Sequence, residues 1–307
     1  MRTVIVGFGK SAHVDAKMKR WFPKGAHHLN MDPPFELVGI ADRSPDARFA
    51  SWEHSRCDVV AEAAHLARLD PEVAVLAIPP DGRAEVLAAL PSVRAVMLEK
   101  PLGPPSVREP LLEIIEKRKI VTQVAYWRRG DPTLRALPDI GRPQAAFGLY
   151  GGGLRNNGSH LVDMVRMLLG EISAVHPVVW QWGEKPPTRR NSFTLGVPGA
   201  QVSIHELDFQ HYREVSLDIW GERGRTAIEN EGIAISHFPR GPHRGLEDAH
   251  ELTGAWQATC RVGEALPALY ANLARAITDG EPLLSPLSSA IATEKVLDQL
   301  EALGIGP

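Results

Sequence analysis

Two short segments of this chain carry side chains that can stabilise charge and move protons. In the first, Glu99-Lys100-Pro101 follows an apolar run. The proline disfavours helical dihedrals at Lys100, so its ammonium can point away from the strand. An ammonium held in this way can hydrogen-bond a hydroxyl or carbonyl oxygen and stabilise an alkoxide there. The alternative interpretation is an exposed lysine at a strand end.

The second segment opens a helix. His160 follows a glycine-rich stretch, 151–158, and Asp163 lies three residues later on the same helical face. The positive end of the helix dipole favours a neutral imidazole, which can accept a proton from a carbinol. Asn156 and Asp163 are the candidates to orient that imidazole. The alternative is a capping or core histidine that Asp163 orients.

A glycine motif lies near the start of the chain, directly after the apolar run Thr3–Val6. It fits G-x-G-x-x-A and consists of Gly7, Phe8, Gly9, Lys10, Ser11 and Ala12. A later run ends in Asp42, which can accept hydrogen bonds from both ribose hydroxyls of NAD. Arg43 beside it could instead take the 2′-phosphate of NADP. The motif predicts a dinucleotide site for NAD, with NADP possible; the alternative is that the glycines serve only a turn.

The elements that must position these residues alternate along the first part of the chain. Helical patterns at 84–90 and 107–117 separate apolar segments, and this alternation predicts a doubly wound parallel sheet. The expected strands are Thr3–Val6, Glu36–Ala41, Val73–Ile78 before Pro79, Ala95–Leu98 and Val121–Ala125.

The pattern changes after about residue 125. A helix is expected over 158–169, with Gly170 as its cap, and consecutive antiparallel strands over 193–229. Two helices, 266–278 and 288–303, close the chain. We therefore expect an α/β domain over 1–125 and a second α/β domain with an open, mainly antiparallel sheet over 126–307.

Composition excludes several classes of protein. The chain has 307 residues, a formal net charge of −3 and two cysteines. The slight excess of acids argues against a nucleic-acid partner, and two distant cysteines exclude a disulfide framework. No run is long and apolar enough for a membrane helix, and no His or Cys spacing predicts a metal site. We expect a cytoplasmic protein.

Taken together, GFGKSA, Asp42, LEKPLG at 98–103 and GGGLRNNGSHLVDMVRMLLG at 151–170 resemble the Gfo/Idh/MocA family of NAD(P)-dependent oxidoreductases. The resemblance implies a Rossmann domain and a second domain whose open sheet forms a homo-oligomer. It implies a small-molecule substrate, namely a sugar, sugar nucleotide or related polyol. Lys100 matches the family lysine near nicotinamide and substrate, and His160 matches the acid/base. The expected cofactor contacts are Gly7 to Ala12, Asp42, Arg43, Pro79, Glu99 and Lys100.

Three departures from the family pattern bear on function. Asn156 stands where many members have an acid, Arg83 stands where the family has histidine, and the stretch between Arg142 and Gly151 is short. Two alternatives therefore remain beside a sugar dehydrogenase. One is a reductase of an imine or a non-sugar ketone in a biosynthetic pathway, and the other is a catalytically idle NAD(P)-binding protein.

Overall fold

Two units of different architecture make up the chain. The computed structural model describes residues 1–7, 34–54, 57–178 and 191–305. One unit comprises Met1–Gly130 and Gly263–Ala290, and the other comprises Asp131–Val262 and Ile291–Pro307. The chain therefore returns to its first unit near its end. The division at residue 125 stays a prediction, because compactness does not show which segments fold on their own.

The first unit contains a parallel sheet with six strands among the described residues. Its strands run in the order β3-β2-β1-β4-β5-β6, so the order reverses between β1 and β4. Ligands of such sheets bind at the carboxyl ends of the strands at that reversal. Most strand residues are buried, as expected where helices cover both faces. The strands are β1 Arg2–Val6, β2 Glu36–Ala41, β3 Asp58–Val60, β4 Val73–Leu76, β5 Ala95–Leu98 and β6 Val121–Val124.

Among the described residues, three helices and the 3-10 segments Ala63–Leu69 and Pro80–Gly82 lie between these strands. The helices are α1 Pro45–His54, α2 Arg83–Ala89 and α3 Pro105–Arg118. Helices were expected at 84–90 and 107–117, and both are present. The short strand β3 and the 3-10 segment after it were not predicted, because a three-residue strand is too short to show a period.

The second unit contains a mixed sheet with nine strands among the described residues. The order along its main path is β14-β13-β12-β11-β7-β10-β9-β8, and β15 pairs with β13. The strands are β7 Pro143–Gly151, β8 Ala174–Pro177, β9 Ser192–Val197, β10 Ala200–Leu207, β11 Val215–Gly221, β12 Gly224–Glu229, β13 Ala234–Pro242, β14 His250–Leu252 and β15 Trp256–Thr259.

The expected antiparallel hairpins of this sheet are present, but their arrangement differs from a simple meander. β9 pairs with β10 and β11 pairs with β12, both antiparallel. The earlier strand β7 lies between β10 and β11; it is parallel to β10 and antiparallel to β11. This pairing joins residues more than 50 positions apart, for example Val202 and Ala146. Local alternation of apolar and polar residues carries no information about such a partner.

The described part of the chain contains four further α-helices: α4 Pro132–Arg135, α5 Ser159–Leu169, α6 Val262–Asp279 and α7 Leu287–Ala302. In the second unit, α5 contributes Leu161 and Val165 to the core, and α7 contributes Leu297 and Leu300. In the first unit, the core includes Leu269 of α6.

These observations confirm the predicted fold class. The chain is an α/β protein with a doubly wound parallel sheet of Rossmann strand order, followed by a second unit whose sheet is mainly antiparallel. Among the described residues, no helix is both long enough and apolar enough to span a membrane.

Candidate functional site

A cavity of about 520 Å³ opens at the carboxyl ends of β1, β2 and β4. This is the edge of the sheet, beside the reversal of strand order, where a doubly wound fold binds its ligand. Backbone and small side chains form much of its wall. Its described lining is Val6, Gly7, Ala41, Asp42, Arg43, Ala61, Glu62, Ala63, Ala64, Ala77, Ile78, Pro79, Asp81, Gly82, Glu85, Val86 and Ala89.

Gly7 forms the first turn of the cavity wall. Its φ is +91°, and a Cβ atom there would lie 2.5 Å from the carbonyl oxygen of Ala77. Its N–H donates to the carbonyl of Ala41 at 2.8 Å, so β1 leaves the sheet in close contact with β2 and β4. Only glycine fits this position. The rest of the motif, Phe8, Gly9, Lys10, Ser11 and Ala12, lies outside the described residues.

Asp42 and Arg43 line the cavity at the end of β2. One carboxylate oxygen of Asp42 accepts the N–H of Ser44 at 2.8 Å. Arg48 donates to the carbonyl oxygens of Asp42 and Arg43, at 2.9 and 2.8 Å. These bonds fix the backbone of the turn, and a carboxylate has further lone pairs for a ribose hydroxyl. Glu62, which the sequence did not single out, faces the same cavity.

Lys100 lies in a turn directly after β5, and the Lys100-Pro101 peptide bond is cis. Two buried arginines grip the backbone of this turn. Arg83 of α2 donates to the carbonyl oxygen of Pro101 at 2.7 Å, and also to that of Ile78 at 3.0 Å. Arg108 of α3 donates to the carbonyl oxygen of Gly103 at 3.0 Å. Arg83, which the sequence singled out as a departure from the pattern of the family it resembles, is 1% exposed and holds this turn.

The same contacts join the turn to the wall of the cavity. Gly103, with a φ of +90°, is so close to Pro80 that a Cβ atom would lie 2.8 Å from the proline Cβ. Pro80 stands between Pro79 and Asp81, which both line the cavity, and Arg83 follows the lining residue Gly82. The residues Pro79 to Arg83 thus contact the cavity on one side and the Lys100 turn on the other.

Glu99 occupies the last position before Lys100. Burial raises the pKa of its carboxyl group, while Lys100, Arg83 and a hydrogen bond from the backbone of Lys100 act to lower it. The carboxylate therefore lies where ionisation is disfavoured by desolvation. Perturbed pKa values of this kind cluster at functional sites.

In the second unit, a π-helical segment, Gly153–Gly158, leads directly into α5. Gly152 and Gly153 have φ values of +108° and +85°. Asn157 closes the turn by donating its side-chain N–H to the carbonyl oxygen of Gly151. Asn156 is exposed at the end of this segment, and His160 is half-buried in the first turn of α5. π-Helical turns are frequent at functional sites.

Arg155 ties this segment to helix α7. Its guanidinium donates to Glu294 at 2.6 Å, to Asp298 at 2.7 Å and to both oxygens of Glu301 at 2.7 and 2.6 Å. Glu294 is fully buried. Burial would lower the pKa of Arg155, but hydrogen bonds to Glu301 and Asp298 and the charge of Glu294 outweigh it and raise that pKa.

Asp163 is 2% exposed on α5. Its carboxylate accepts a hydrogen bond from the hydroxyl of Thr293 at 3.2 Å, and Arg166 lies 3.9 Å away. Arg166 in turn donates to Thr293 at 2.8 Å. These contacts connect α5 to α7. The role of Asp163 in orienting His160 stays a prediction, as do the catalytic and cofactor-binding roles of the other site residues.

Sequence reasoning missed Glu62, Arg108 and Arg155 as residues of these sites. Glu62 follows a strand too short to recognise, and Arg108 lies in the first turns of a helix like any solvated arginine. Arg155 lies inside the glycine-rich motif, but its carboxylate partners are 139 to 146 residues away. The one sequence signal was that Arg155 is a charged residue among glycines and asparagines.

Solved structures with this fold are known. An oxidoreductase from Agrobacterium radiobacter, in complex with NAD+, L-tartaric acid and magnesium, is 14% identical and covers 100% of this chain and 98% of its own, with a TM-score of 0.75. An NAD-binding oxidoreductase from Klebsiella pneumoniae is 14% identical over 98% and 96%, with a TM-score of 0.76.

The UDP-N-acetylglucosamine 3-dehydrogenase of Acidithiobacillus ferrooxidans is 15% identical over 98% of this chain and 96% of its own, with a TM-score of 0.70. Neither a family model nor a curated protein sequence matches the chain. At this level of identity, the similarity establishes the fold.

Proposed function

We propose that this chain is an NAD(P)-dependent oxidoreductase that transfers a hydride between nicotinamide and a hydroxyl or keto carbon of a sugar, sugar nucleotide or related polyol. One observation carries the proposal. The segment Pro79 to Arg83 lines the dinucleotide cavity and also contacts the turn that presents Lys100. The NAD+ complex and the sugar-nucleotide dehydrogenase among the similar structures support it.

The residues of the cavity fit the adenosine half of a dinucleotide. Gly7 leaves space for backbone to approach a phosphate, and Asp42 lies at the end of β2, where a carboxylate accepts ribose hydroxyls. Gly9 to Ala12, Pro79 and Glu99 complete the proposed cofactor site. When bound, the cofactor supplies the hydride exchange, and the protein supplies position and charge.

Lys100 and His160 are the proposed catalytic residues. The ammonium of Lys100 donates a hydrogen bond to the reacting oxygen of the substrate and stabilises negative charge there. The imidazole of His160 takes the proton of a carbinol in oxidation and returns it in reduction. Asn156 and Asp163 are proposed to orient that imidazole. Asn156 has no ionisable group, so the charge balance at His160 differs from that of a chain with an acid at this position.

The replacement Lys100→Met tests the proposal. We expect wild-type protein to bind NADH, seen by nicotinamide fluorescence, and to oxidise it with some member of a panel of keto sugars and imines. Lys100→Met should lower the turnover number at least about 100-fold and leave the dissociation constant of NADH nearly unchanged. The control is Lys117→Met, at an exposed position on α3, which should behave as wild type.

The outcomes separate the alternatives. A Lys100→Met variant with near-normal turnover contradicts the role assigned to Lys100. Oxidation of NADH by imines but not by keto sugars would move the substrate to the imine class. Binding of NADH without oxidation by any compound would support an idle cofactor-binding protein, the function that Asn156 and Arg83 motivate.

We further propose that a second copy of the chain is a partner through the sheet of the second unit. Large apolar side chains on its strands are exposed: Phe147 at 46%, Trp220 at 45% and Trp256 at 43%. Phe147 and Trp220 lie on the same face of the sheet, because Phe147 is opposite Asp218, two residues before Trp220, and an exposed apolar patch is typical of a protein interface. The proposed ligands are otherwise small molecules.

A further inference from the structure

The rim of the dinucleotide cavity combines charges that give opposite signals for cofactor choice. Asp42 ends β2, Arg43 follows it, and Glu62 comes after β3; all three line the cavity. An acid at this place accepts a hydrogen bond from the 2′-hydroxyl of NAD, whereas an arginine nearby binds the 2′-phosphate of NADP. The pair Asp42-Arg43 therefore leaves the preference open.

Glu62 changes this balance because it faces Arg43. The Nε atom of Arg43 lies 3.8 Å from a carboxylate oxygen of Glu62. Glu62 precedes the 3-10 segment Ala63–Leu69, at a position where side chains often cap, but its carboxylate makes no capping hydrogen bond. The carboxylate is thus directed to the cavity rim rather than to the segment that follows it.

The backbone around Arg43 is fixed, so the side chain of Arg43 is the variable element. Arg48 holds the carbonyl oxygens of Asp42 and Arg43, and Ser44 holds the Asp42 carboxylate. The side chain of Arg43 is 79% exposed and that of Glu62 is 56% exposed. An exposed ion pair contributes little to folding stability, so replacing either residue leaves the fold intact and isolates the effect on ligand choice.

We propose that Glu62 is a specificity-determining residue that favours NAD(H) over NADP(H) by pairing with Arg43. This inference rests on the proposed function. A 2′-phosphate at this rim meets two carboxylates, and the arginine among the described lining residues already has Glu62 as its partner. A 2′-hydroxyl is neutral, so the two carboxylates do not repel it and it does not need the guanidinium of Arg43. Removal of the Glu62 charge leaves Arg43 available to the phosphate.

The experiment is a titration of NADH and NADPH into the full chain, followed by nicotinamide fluorescence. Wild type should bind NADH more tightly than NADPH. For Glu62→Gln, the ratio of the NADPH to the NADH dissociation constant should fall about tenfold, the effect of one exposed guanidinium released to bind a dianion. The control Glu72→Gln removes an acid of another Arg–Glu pair, with Arg94, directly before the amino end of β4 and outside the described cavity lining, and should leave the ratio at the wild-type value.

A second background tests whether Glu62 acts through Arg43. In the Arg43→Met background, Glu62→Gln should change the ratio less than about threefold, because no guanidinium is left to release. The proposal is overturned by a wild-type preference for NADPH, by an unchanged ratio in Glu62→Gln, or by an undiminished effect without Arg43. Failure of the proposed function itself is distinguishable, since wild type would then either bind neither dinucleotide or bind NADH without oxidising it in the turnover experiment.

Discussion

The Lys100 turn of the first unit and the π-helical segment of the second unit are both held by arginines, but in opposite ways. In the first, Arg83 and Arg108 come from neighbouring helices and donate to the backbone carbonyls of the turn. In the second, Arg155 belongs to the segment itself and donates to carboxylates of α7. The Lys100 turn is held at its backbone by two arginines from other elements, so it has two independent supports. The π-helical segment is held through its own Arg155 and therefore depends on a single residue.

The two arrangements also differ in charge. Around the Lys100 turn, two guanidiniums lie near one lysine and one partly buried acid, so positive charge prevails there. This charge supports the proposed role of Lys100 in stabilising an oxyanion. Around Arg155, three carboxylates surround one guanidinium. The first arrangement favours a role in chemistry, and the second favours a role in stability and position.

Arg155→Met should cause the largest loss in the free energy of unfolding among the variants that test this comparison. It leaves the buried Glu294 and two further carboxylates without their shared cation, and removing one partner of a buried ion pair costs about 3–5 kcal/mol. Urea denaturation should show that loss in the free energy of unfolding. Arg142→Met, in an exposed pair with Glu222, should cost less than about 1 kcal/mol. Equal losses in both variants would contradict the anchoring role of Arg155.

Arg83→Met should cause a smaller loss in the free energy of unfolding, because Arg108 still supports the turn. The carbonyl oxygens of Ile78 and Pro101 lose their donor, and an unsatisfied buried acceptor costs about 1–3 kcal/mol. Arg83→Lys keeps the charge and one donor and should recover part of this loss in the same urea experiment. A loss for Arg83→Met as large as that for Arg155→Met would remove the distinction between the two arrangements.

Glu99→Gln should have the smallest effect, and its sign should depend on pH. Burial raises the folded-state pKa of Glu99 above the ordinary value of 4.5, so its contribution to stability is present below pH 4.5 and is lost as the pH rises through the folded-state pKa. Glu99→Gln should therefore raise the melting temperature at pH 8 relative to wild type, with little change at pH 4.

Glu72→Gln is the matched comparison for that measurement. Hydrogen bonds from Arg94 and Arg2 hold the pKa of Glu72 below its ordinary value, so its stabilising contribution is present above pH 4.5 and is lost as the pH falls through the lower folded-state pKa. This replacement should lower the melting temperature at pH 8. A melting temperature that falls for Glu99→Gln at pH 8 would show that the carboxylate stabilises the turn.

Local patterns were sufficient to locate most elements of the fold. The strands that end before Gly7, Asp42 and Lys100 and the helix that begins near His160 are where periodicity and turn residues indicated. Each is determined by neighbours within a few residues, such as the apolar run before Gly7. The position of β7 between β10 and β11 was not predictable, because strand partners depend on which whole faces are buried together.

By itself, the sequence determined that the first sheet is parallel and doubly wound. It also determined that residue 7 is a glycine turn and that Lys100 follows a buried strand. These features follow from steric limits and hydrophobic periodicity along the chain. Only the tertiary structure decided that Arg83 holds the Lys100 turn, that Arg155 binds α7 and that Glu62 faces Arg43. The spacing of charged residues along the sequence does not indicate which of them will form pairs in the fold. A long-range ion pair or hydrogen bond is selected by burial and geometry after the elements have packed.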